Sequence, residues 1–281
     1  MVIIDGKELS KKIRGQVKEE VENLNKKGIY PKLAVIMVGE DPASKVYVRN
    51  KSKACNEAGI EYEEFILNEN IEMDELLSLI ENLNNRKDIH GILLQSPIPK
   101  HLSIDKAFET IDYRKDVDGF HPINIGKLAL NKQTFISCTP HGVMKMLEEY
   151  GIELKGANVV ILGRSNIVGK PLAQCLLNKD ATVTICHSKT KNIEEITRKA
   201  DILISAIGKP KFVTANMVKE GAVVIDVGIN RLETGIVGDV DFEEVSKKAS
   251  HITPVPGGVG PMTIAMLLNN VVIAAKGIEE K

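Results

Sequence analysis

The chain has 281 residues, 37 Lys and Arg against 38 Asp and Glu, 43% hydrophobic residues and 4% aromatic residues with no Trp. This is the balance of a globular protein with room for two cores, and a net charge of −1 supplies no global field that would gather nucleic acid or an anionic membrane. Asp5 and Lys7 break an N-terminal apolar stretch too short for a signal-peptide core, and Asn269 and Asn270 interrupt the C-terminal apolar run, so a cytoplasmic chain with no bilayer span is expected.

The hydrophobic pattern predicts a helix over Gly6–Asn25, then strands at Leu33–Val38, Glu61–Leu67 and Ile89–Gln95, with helices over about Ser44–Ala58 and Met73–Asn85 between them. From Asp112 to Thr139 the pattern weakens into a polar segment that reads as a domain junction. A second series follows, with strands at Asn158–Leu162, Thr182–Cys186, Ile202–Ala206 and Val223–Val227. A Pro/Gly loop, Pro254–Pro261, and a final helix from Met262 to about Glu279 close the chain. Strands alternating with helices twice over predict an α/β protein of two domains with parallel sheets. Cys55, Cys138, Cys175 and Cys186 have no CxxC spacing and read as buried thiols. They and the six His form no ligand-spaced cluster, so no metal is expected.

Five segments carry candidate chemistry. Asp41 suits an N-cap, Pro42 the first helical position and Gly59 a C-terminal stop, which fixes the register of the helix between them. That register aligns Ser44, Tyr47, Val48, Lys51, Ala54, Cys55 and Ala58 on one stripe. Lys51 there either snorkels, its stem covering apolar surface, or is a desolvated amine with a pKa lowered for acid/base work, with the Tyr47 ring offered to a planar ligand. Gln95 ends a buried strand, where it either satisfies loop amides or joins a site at the carboxyl edge of the sheet. Asp116-Val-Asp-Gly-Phe-His121 is either a plain turn or the source of a carboxylate that holds the donor edge of a heterocycle.

In the second series, Gly163-Arg-Ser-Asn-Ile-Val-Gly169 stands where a strand–turn–helix dinucleotide fingerprint belongs, with Ser165 at the second glycine position and the third glycine displaced to Gly169. A generic strand-to-helix turn is the alternative. The next strand runs into Cys186-His-Ser-Lys189, with no acid for the ribose hydroxyls of NAD, while Arg164 offers a guanidinium fork, so NADP is expected over NAD. The 254–261 loop is either a connector or a rigid site-lining segment in which Gly257, Gly258 and Gly260 serve unusual backbone angles or close approach, with Pro261 starting the last helix.

Together, Gly39-Glu-Asp-Pro-Ala-Ser-Lys-Val-Tyr-Val-Arg-Asn-Lys-Ser-Lys53, Gly91-Ile-Leu-Leu-Gln-Ser-Pro-Ile-Pro99, Asp116-Val-Asp-Gly119, Gly163 to Pro171 and Pro254 to Thr263 resemble the bifunctional methylenetetrahydrofolate dehydrogenase/methenyltetrahydrofolate cyclohydrolase family, in order and over essentially the whole chain. The resemblance implies a three-layer α/β catalytic domain at residues 1–120, completed by a C-terminal helix at 262–281, a Rossmann-type NADP domain at 140–261, and a folate cleft between them. It implies tetrahydrofolate derivatives as substrates, NADP as cofactor and a homodimer. By the same resemblance Lys51 is the catalytic lysine, Gln95 its hydrogen-bonding partner, Tyr47 the ring that stacks on folate and Asp118 the carboxylate that grips the pterin. Pro256 and Gly257 belong to the folate-side loop, and Gly163, Arg164, Ser165, Ser188 and Ile229 to the NADP contacts. Two other readings compete on the residues: an NADP-linked reductase of amino or keto acids, and a non-enzymatic nucleotide sensor. Neither employs Tyr47, Lys51, Gln95 and Asp118 together.

Overall fold

In the computed structural model, residues 1–233 and 235–277 are described. The elements in chain order are β1 (Val2–Ile3), α1 (Gly6–Asn25), β2 (Lys32–Val38), α2 (Pro42–Ala58), β3 (Glu61–Leu67), α3 (Met73–Asn85), β4 (Gly91–Leu94), α4 (Ile104–Thr110) and α5 (Pro122–Ala129). They continue with α6 (Cys138–Glu149), β5 (Asn158–Leu162), α7 (Gly169–Leu177), β6 (Thr182–Cys186), α8 (Ile193–Thr197), β7 (Ile202–Ser205) and a 3-10 turn at Ala215–Met217. The remainder is β8 (Val223–Asp226), β9 (Asn230–Leu232), β10 (Gly235–Val237), α9 (Phe242–Val245), β11 (His251–Ile252) and α10 (Val259–Lys276). The chain divides into two compact units, one of residues 12–136 and 264–281, the other of residues 1–11 and 137–263.

The first unit holds a parallel three-stranded sheet in the order β3-β2-β4. Leu33 to Val38 of the central strand are all buried, as a strand covered on both faces requires. On one face Leu76, Ile80 and Leu83 of α3 pack with Ala34, Ile36, Ile92 and Leu94. Lys115 finishes α3 by donating to the carbonyls of Leu83, Asn84 and Arg86 at 3.2, 2.8 and 2.6 Å, which satisfies acceptors that a helix end leaves open. The segment beside β4 is irregular: Ile92 N–H donates to Lys115 O at 2.8 Å and Ile92 bridges Asp116 in parallel, so the chain at 115–117 runs along the sheet without forming a full strand.

At the amino edge of this sheet Arg86 donates to both oxygens of Glu63 at 2.8 Å and to Asp88 at 2.6 Å, with Lys32 3.2 Å from Asp88. The guanidinium holds both carboxyls below their usual range. Depressed carboxylates contribute stability above their unfolded pKa, and that contribution disappears as pH falls through the folded values. Because the groups are partly exposed, Arg86→Met is expected to cost only about 1 kcal/mol at neutral pH. Urea unfolding midpoints of the two proteins should then converge as pH falls below about 4; a gap that persists undiminished at low pH would show that packing, not charge, is lost.

The second unit has a six-stranded parallel sheet in the order β1-β11-β8-β7-β5-β6. The strand order reverses at β5, which is flanked by β6 on one side and β7 on the other, so the crevice at its carboxyl end is the doubly wound switch point. The N-terminal residues complete this sheet. Val2 and Ile4 donate to Ser250 O and Ile252 O at 2.7 and 2.8 Å, and Asp5 N–H donates to the Tyr150 hydroxyl at 2.7 Å.

Several expectations need correction. The third strand is shorter than 89–95, spanning Gly91–Leu94, although Gln95 N–H still reaches Ile36 O at 2.8 Å. The polar segment 112–139 contains a helix, α5, started by Pro122 with the His121 ring accepting from Ile123 N–H at 3.0 Å. The last helix begins at Val259 rather than Met262, and residues 278–279 of its expected range lie outside the described residues. Contrary to the sequence reading, α10 is long and apolar enough to cross a membrane by length and composition, and half of it is buried within the protein. Asn270 explains why the asparagines do not break it: its side chain is buried and donates to Val117 O and Ile136 O at 2.8 and 3.1 Å. All four cysteines are buried, as expected, and none is in a disulfide among the described residues.

Candidate active site

In the first unit the candidate residues gather at the carboxyl end of the sheet. Asp41 accepts from Ser44 N–H at 2.7 Å, Pro42 follows it, and Gly59 ends α2 in the left-handed region at φ 76°, so the register assigned to this helix is the one it has. Ser44, Val48, Ala54, Cys55 and Ala58 are buried, Lys51 is half-buried, and Tyr47 at the margin of the stripe keeps 40% of its surface exposed. The Tyr47 ring is thus open to a ligand rather than packed in the core.

Lys51 Nζ donates to Gln95 Oε1 at 2.9 Å. Gln95, 8% exposed, donates its amide to Ser96 O at 2.6 Å, and its own N–H is held by Ile36 O at 2.8 Å. The side-chain bond to Ser96 O fixes which end of the amide faces the lysine, and the backbone bond to Ile36 O holds the residue at the strand end. Gln95 therefore serves the loop peptide at Ser96 with its donor and turns its acceptor to the Lys51 side chain. One turn beyond Lys51, burial pushes the Cys55 thiol up to about 12 even though Lys51 pulls it down, so at neutral pH it is a packed thiol and not a nucleophile.

Asp118 is half-buried in the turn that follows the Ile92–Asp116 bridge. The turn begins one residue after that bridge, which pairs Asp116 with Ile92 of β4, the strand that leads to Gln95. The turn is held by a carboxylate that sequence reasoning passed over. Asp116, 2% exposed, accepts from Gly119 N–H at 3.1 Å, His121 N–H at 2.7 Å and Asn124 Nδ2 at 2.8 Å. Burial raises its pKa, and the bonds from His121 and Asn124 oppose the rise. The signal was present in the sequence as a turn pattern, an Asp three residues before Gly119.

In the second unit the turn after β5 fits a dinucleotide. Gly163 has φ 116°, and a Cβ there would lie 2.3 Å from Ala206 O, beside the end of β7. A Cβ on Gly169 would lie 2.2 Å from Gly163 O. These two glycines bring helix, strand and turn together as a diphosphate-binding turn requires. Ser165 needs no glycine because its hydroxyl is used locally: it accepts from the N–H groups of Val168 and Gly169 at 3.1 and 3.3 Å. Arg164, Ser188 and Lys189 are exposed around the turn, and Ile229 is 46% exposed after β8.

The 254–261 loop belongs to this unit. Gly257 has φ 106°, and a Cβ on Gly258 would lie 2.5 Å from Pro254 O, so two of the three glycines serve angle and close approach as expected. Gly260 does neither, since a Cβ there would make an ordinary 3.6 Å contact, and Pro261 lies inside the first turn of α10 rather than at its start. Pro256 is exposed at the loop tip.

Comparison with known proteins adds to this geometry. Residues 4–118 match the tetrahydrofolate dehydrogenase/cyclohydrolase catalytic domain, and residues 137–279 match the NAD(P)-binding domain of the same enzymes. The bifunctional protein FolD of Campylobacter concisus is 59% identical over 277 residues, 98% of both chains. The crystal structure of the bifunctional enzyme FolD, methylenetetrahydrofolate dehydrogenase/cyclohydrolase, from Campylobacter jejuni is similar at a TM-score of 0.97 and 57% identity, covering 98% of this chain and 99% of that one. The Trypanosoma brucei methylenetetrahydrofolate dehydrogenase-cyclohydrolase, solved with NADP cofactor and an inhibitor, is similar at a TM-score of 0.94 and 39% identity, covering 98% and 97%.

Proposed function

The chain belongs to the tetrahydrofolate dehydrogenase/cyclohydrolase family and is a bifunctional enzyme of one-carbon folate metabolism, and from that premise we propose which of its residues perform the two reactions. The enzyme oxidises 5,10-methylenetetrahydrofolate with NADP to the 5,10-methenyl cation and hydrolyses that cation to 10-formyltetrahydrofolate. When bound, NADP supplies the hydride acceptor.

The observation that carries the residue assignment is the 2.9 Å bond between Lys51 Nζ and Gln95 Oε1 at the carboxyl end of the sheet. Lys51 is the proton carrier: as the amine it takes a proton from the water that adds to the methenyl carbon, and as the ammonium it returns one to the nitrogen that leaves when the ring opens. Gln95 aims the amine. Tyr47 stacks on the folate ring, and Asp118 accepts from the donor edge of the pterin. Pro256 and Gly257 form the folate-side loop. Hydride transfer needs positioning more than a strong base, so it relies on the same contacts without a separate acid.

Gly163, Arg164, Ser165, Ser188 and Ile229 hold NADP, with the diphosphate against the first turn of α7 and Arg164 on the 2'-phosphate. Arg164→Ala is expected to raise the KM for NADP about tenfold or more, in line with a lost charge-assisted bond, and the KM for NAD by much less. Equal rises for both cofactors would remove Arg164 from the 2'-phosphate.

The enzyme works as a cytoplasmic homodimer on tetrahydrofolate derivatives, away from nucleic acid and membranes, and supplies one-carbon units to purine biosynthesis. Four buried thiols outside any disulfide among the described residues accord with a reducing compartment. The deciding assay offers methylenetetrahydrofolate and NADP and follows NADPH and methenyltetrahydrofolate by absorbance; no nucleotide reduction, or reduction only with an amino or hydroxy acid as hydride donor, overturns the assignment.

A further inference from the structure

Two carboxylates lie buried in the NADP unit, and neither belongs to the contacts proposed above. Asp239 is 0% exposed and Asp226 3%. Asp239 Oδ2 accepts from the Ser205 hydroxyl at 3.1 Å and from the N–H groups of Ile207 and Gly208 at 2.8 and 3.2 Å. Its Oδ1 accepts from Lys209 N–H at 2.9 Å and Asn230 Nδ2 at 3.0 Å. One side chain thereby gathers the loop that follows β7 and the loop that follows β8. Asp226, the last residue of β8, holds Asp239 in turn: its Oδ1 accepts from the N–H groups of Gly228 and Asp239 at 2.9 and 3.0 Å, and its Oδ2 from Val240 N–H at 2.8 Å.

The backbone closes on both carboxylates. A Cβ on Gly228 would lie 2.2 Å from Asp239 Oδ1, and one on Gly238 would lie 1.9 Å from Asp226 Oδ2. An acid buried among this many N–H donors is costly to assemble, and a plain β-turn would tie the same loops without it.

The place of these loops gives the arrangement its meaning. Ligands of an open parallel sheet lie outside the carboxyl ends of its strands, and the diphosphate turn sits at the end of β5. β6 leads to Ser188 and Lys189, the 2'-phosphate side, and β7 and β8 lie on the opposite side of β5. The remaining half of the dinucleotide therefore extends over the loops that Asp239 gathers, with Ile229 between Gly228 and Asn230. We propose that Asp239, buttressed by Asp226, is a positioning residue for hydride transfer: it sets the 207–209 and 228–230 loops as the platform for the nicotinamide half of NADP. This rests on the NADP assignment above.

In Asp239→Asn an NH2 replaces one oxygen and meets N–H donors that have lost their acceptor. The variant is expected to bind NADP at least about tenfold more weakly and to reduce it at least about tenfold more slowly at saturation. Binding of adenosine 2',5'-bisphosphate, which carries only the adenosine half, should change by less than about twofold. Asn230→Ala removes one of the five donors at the outer end and leaves the buried acid in place; it should show the same split at smaller size. Calorimetric titration with each probe reads both effects. Equal losses for the two probes, or unchanged NADP binding and reduction in both variants, overturn the proposal. Wild-type protein that binds neither probe overturns the NADP assignment, and the proposal with it.

Discussion

Replacing Lys51 by methionine is expected to abolish cyclohydrolase turnover, a loss of about 10²–10⁴-fold if the lysine is the proton carrier, in a protein that still folds. The fold should survive because Lys51 is only half-buried and the thioether chain covers the same apolar stripe between Val48 and Cys55. Gln95 would lose one bond yet keep those to Ser96 and Ile36, so its strand end stays in place. The dehydrogenase reaction should be less affected, since hydride transfer relies on alignment and not on a proton carrier. Loss of methenyltetrahydrofolate absorbance measures the first activity without nucleotide, and NADPH formation measures the second. Formation of 10-formyltetrahydrofolate at the wild-type rate by the variant would take Lys51 out of the mechanism; an unchanged melting curve keeps misfolding from imitating the loss.

Asp118→Asn is expected to weaken folate binding by about 10–100-fold, the range of about 1.5–3 kcal/mol for a charge-assisted hydrogen bond to a buried partner. The amide retains one acceptor but turns a donor toward the donors of the pterin. Turn geometry is set by Asp116, which carries the bonds to Gly119 and His121, so the substituted chain should keep the backbone that presents this side chain. A direct titration with a folate analogue reads the effect, and the cyclohydrolase kcat at saturating substrate should change far less than the KM. An unaltered dissociation constant would assign the pterin edge to another group. Asp116→Asn would act through the turn and is expected to lower both stability and binding, which separates the two carboxylates.

The stripe on α2 was legible in the sequence because both ends of that helix carry strong local signals, Asp41 with Pro42 and Gly59, and a fixed register dictates which residues share a face. Gln95 was legible as a polar residue at the end of an apolar run. Asp239 was not, because it accepts hydrogen bonds from residues 205–209, whose approach only the tertiary fold arranges, whereas Asp116 was passed over although its partners lie only three to eight residues along the chain. The strands β1 and β11 were hidden for another reason. Each has two residues, too few for any periodicity, and their pairing joins residues 2–3 to residues 251–252. Likewise α5 lies in a segment where a histidine does the capping, and the sequence rules for helix starts look for Ser, Thr, Asp or Asn.

That pairing of β1 with β11 has a consequence for how the molecule comes into being. A ribosome makes the chain from residue 1 onward at about 5–20 residues per second, so Val2 and Ile3 wait about 12–50 s before their partners at 251–252 exist. The other unit is in the same position, since it includes residues 264–277 alongside residues made long before. Neither unit is complete until the closing helix has been synthesised, so folding of the two waits for residues 259–276 instead of proceeding one domain at a time. The edge of β8 that β11 later covers is left open meanwhile, which makes the nascent chain a natural client for chaperones that shield unpaired strands.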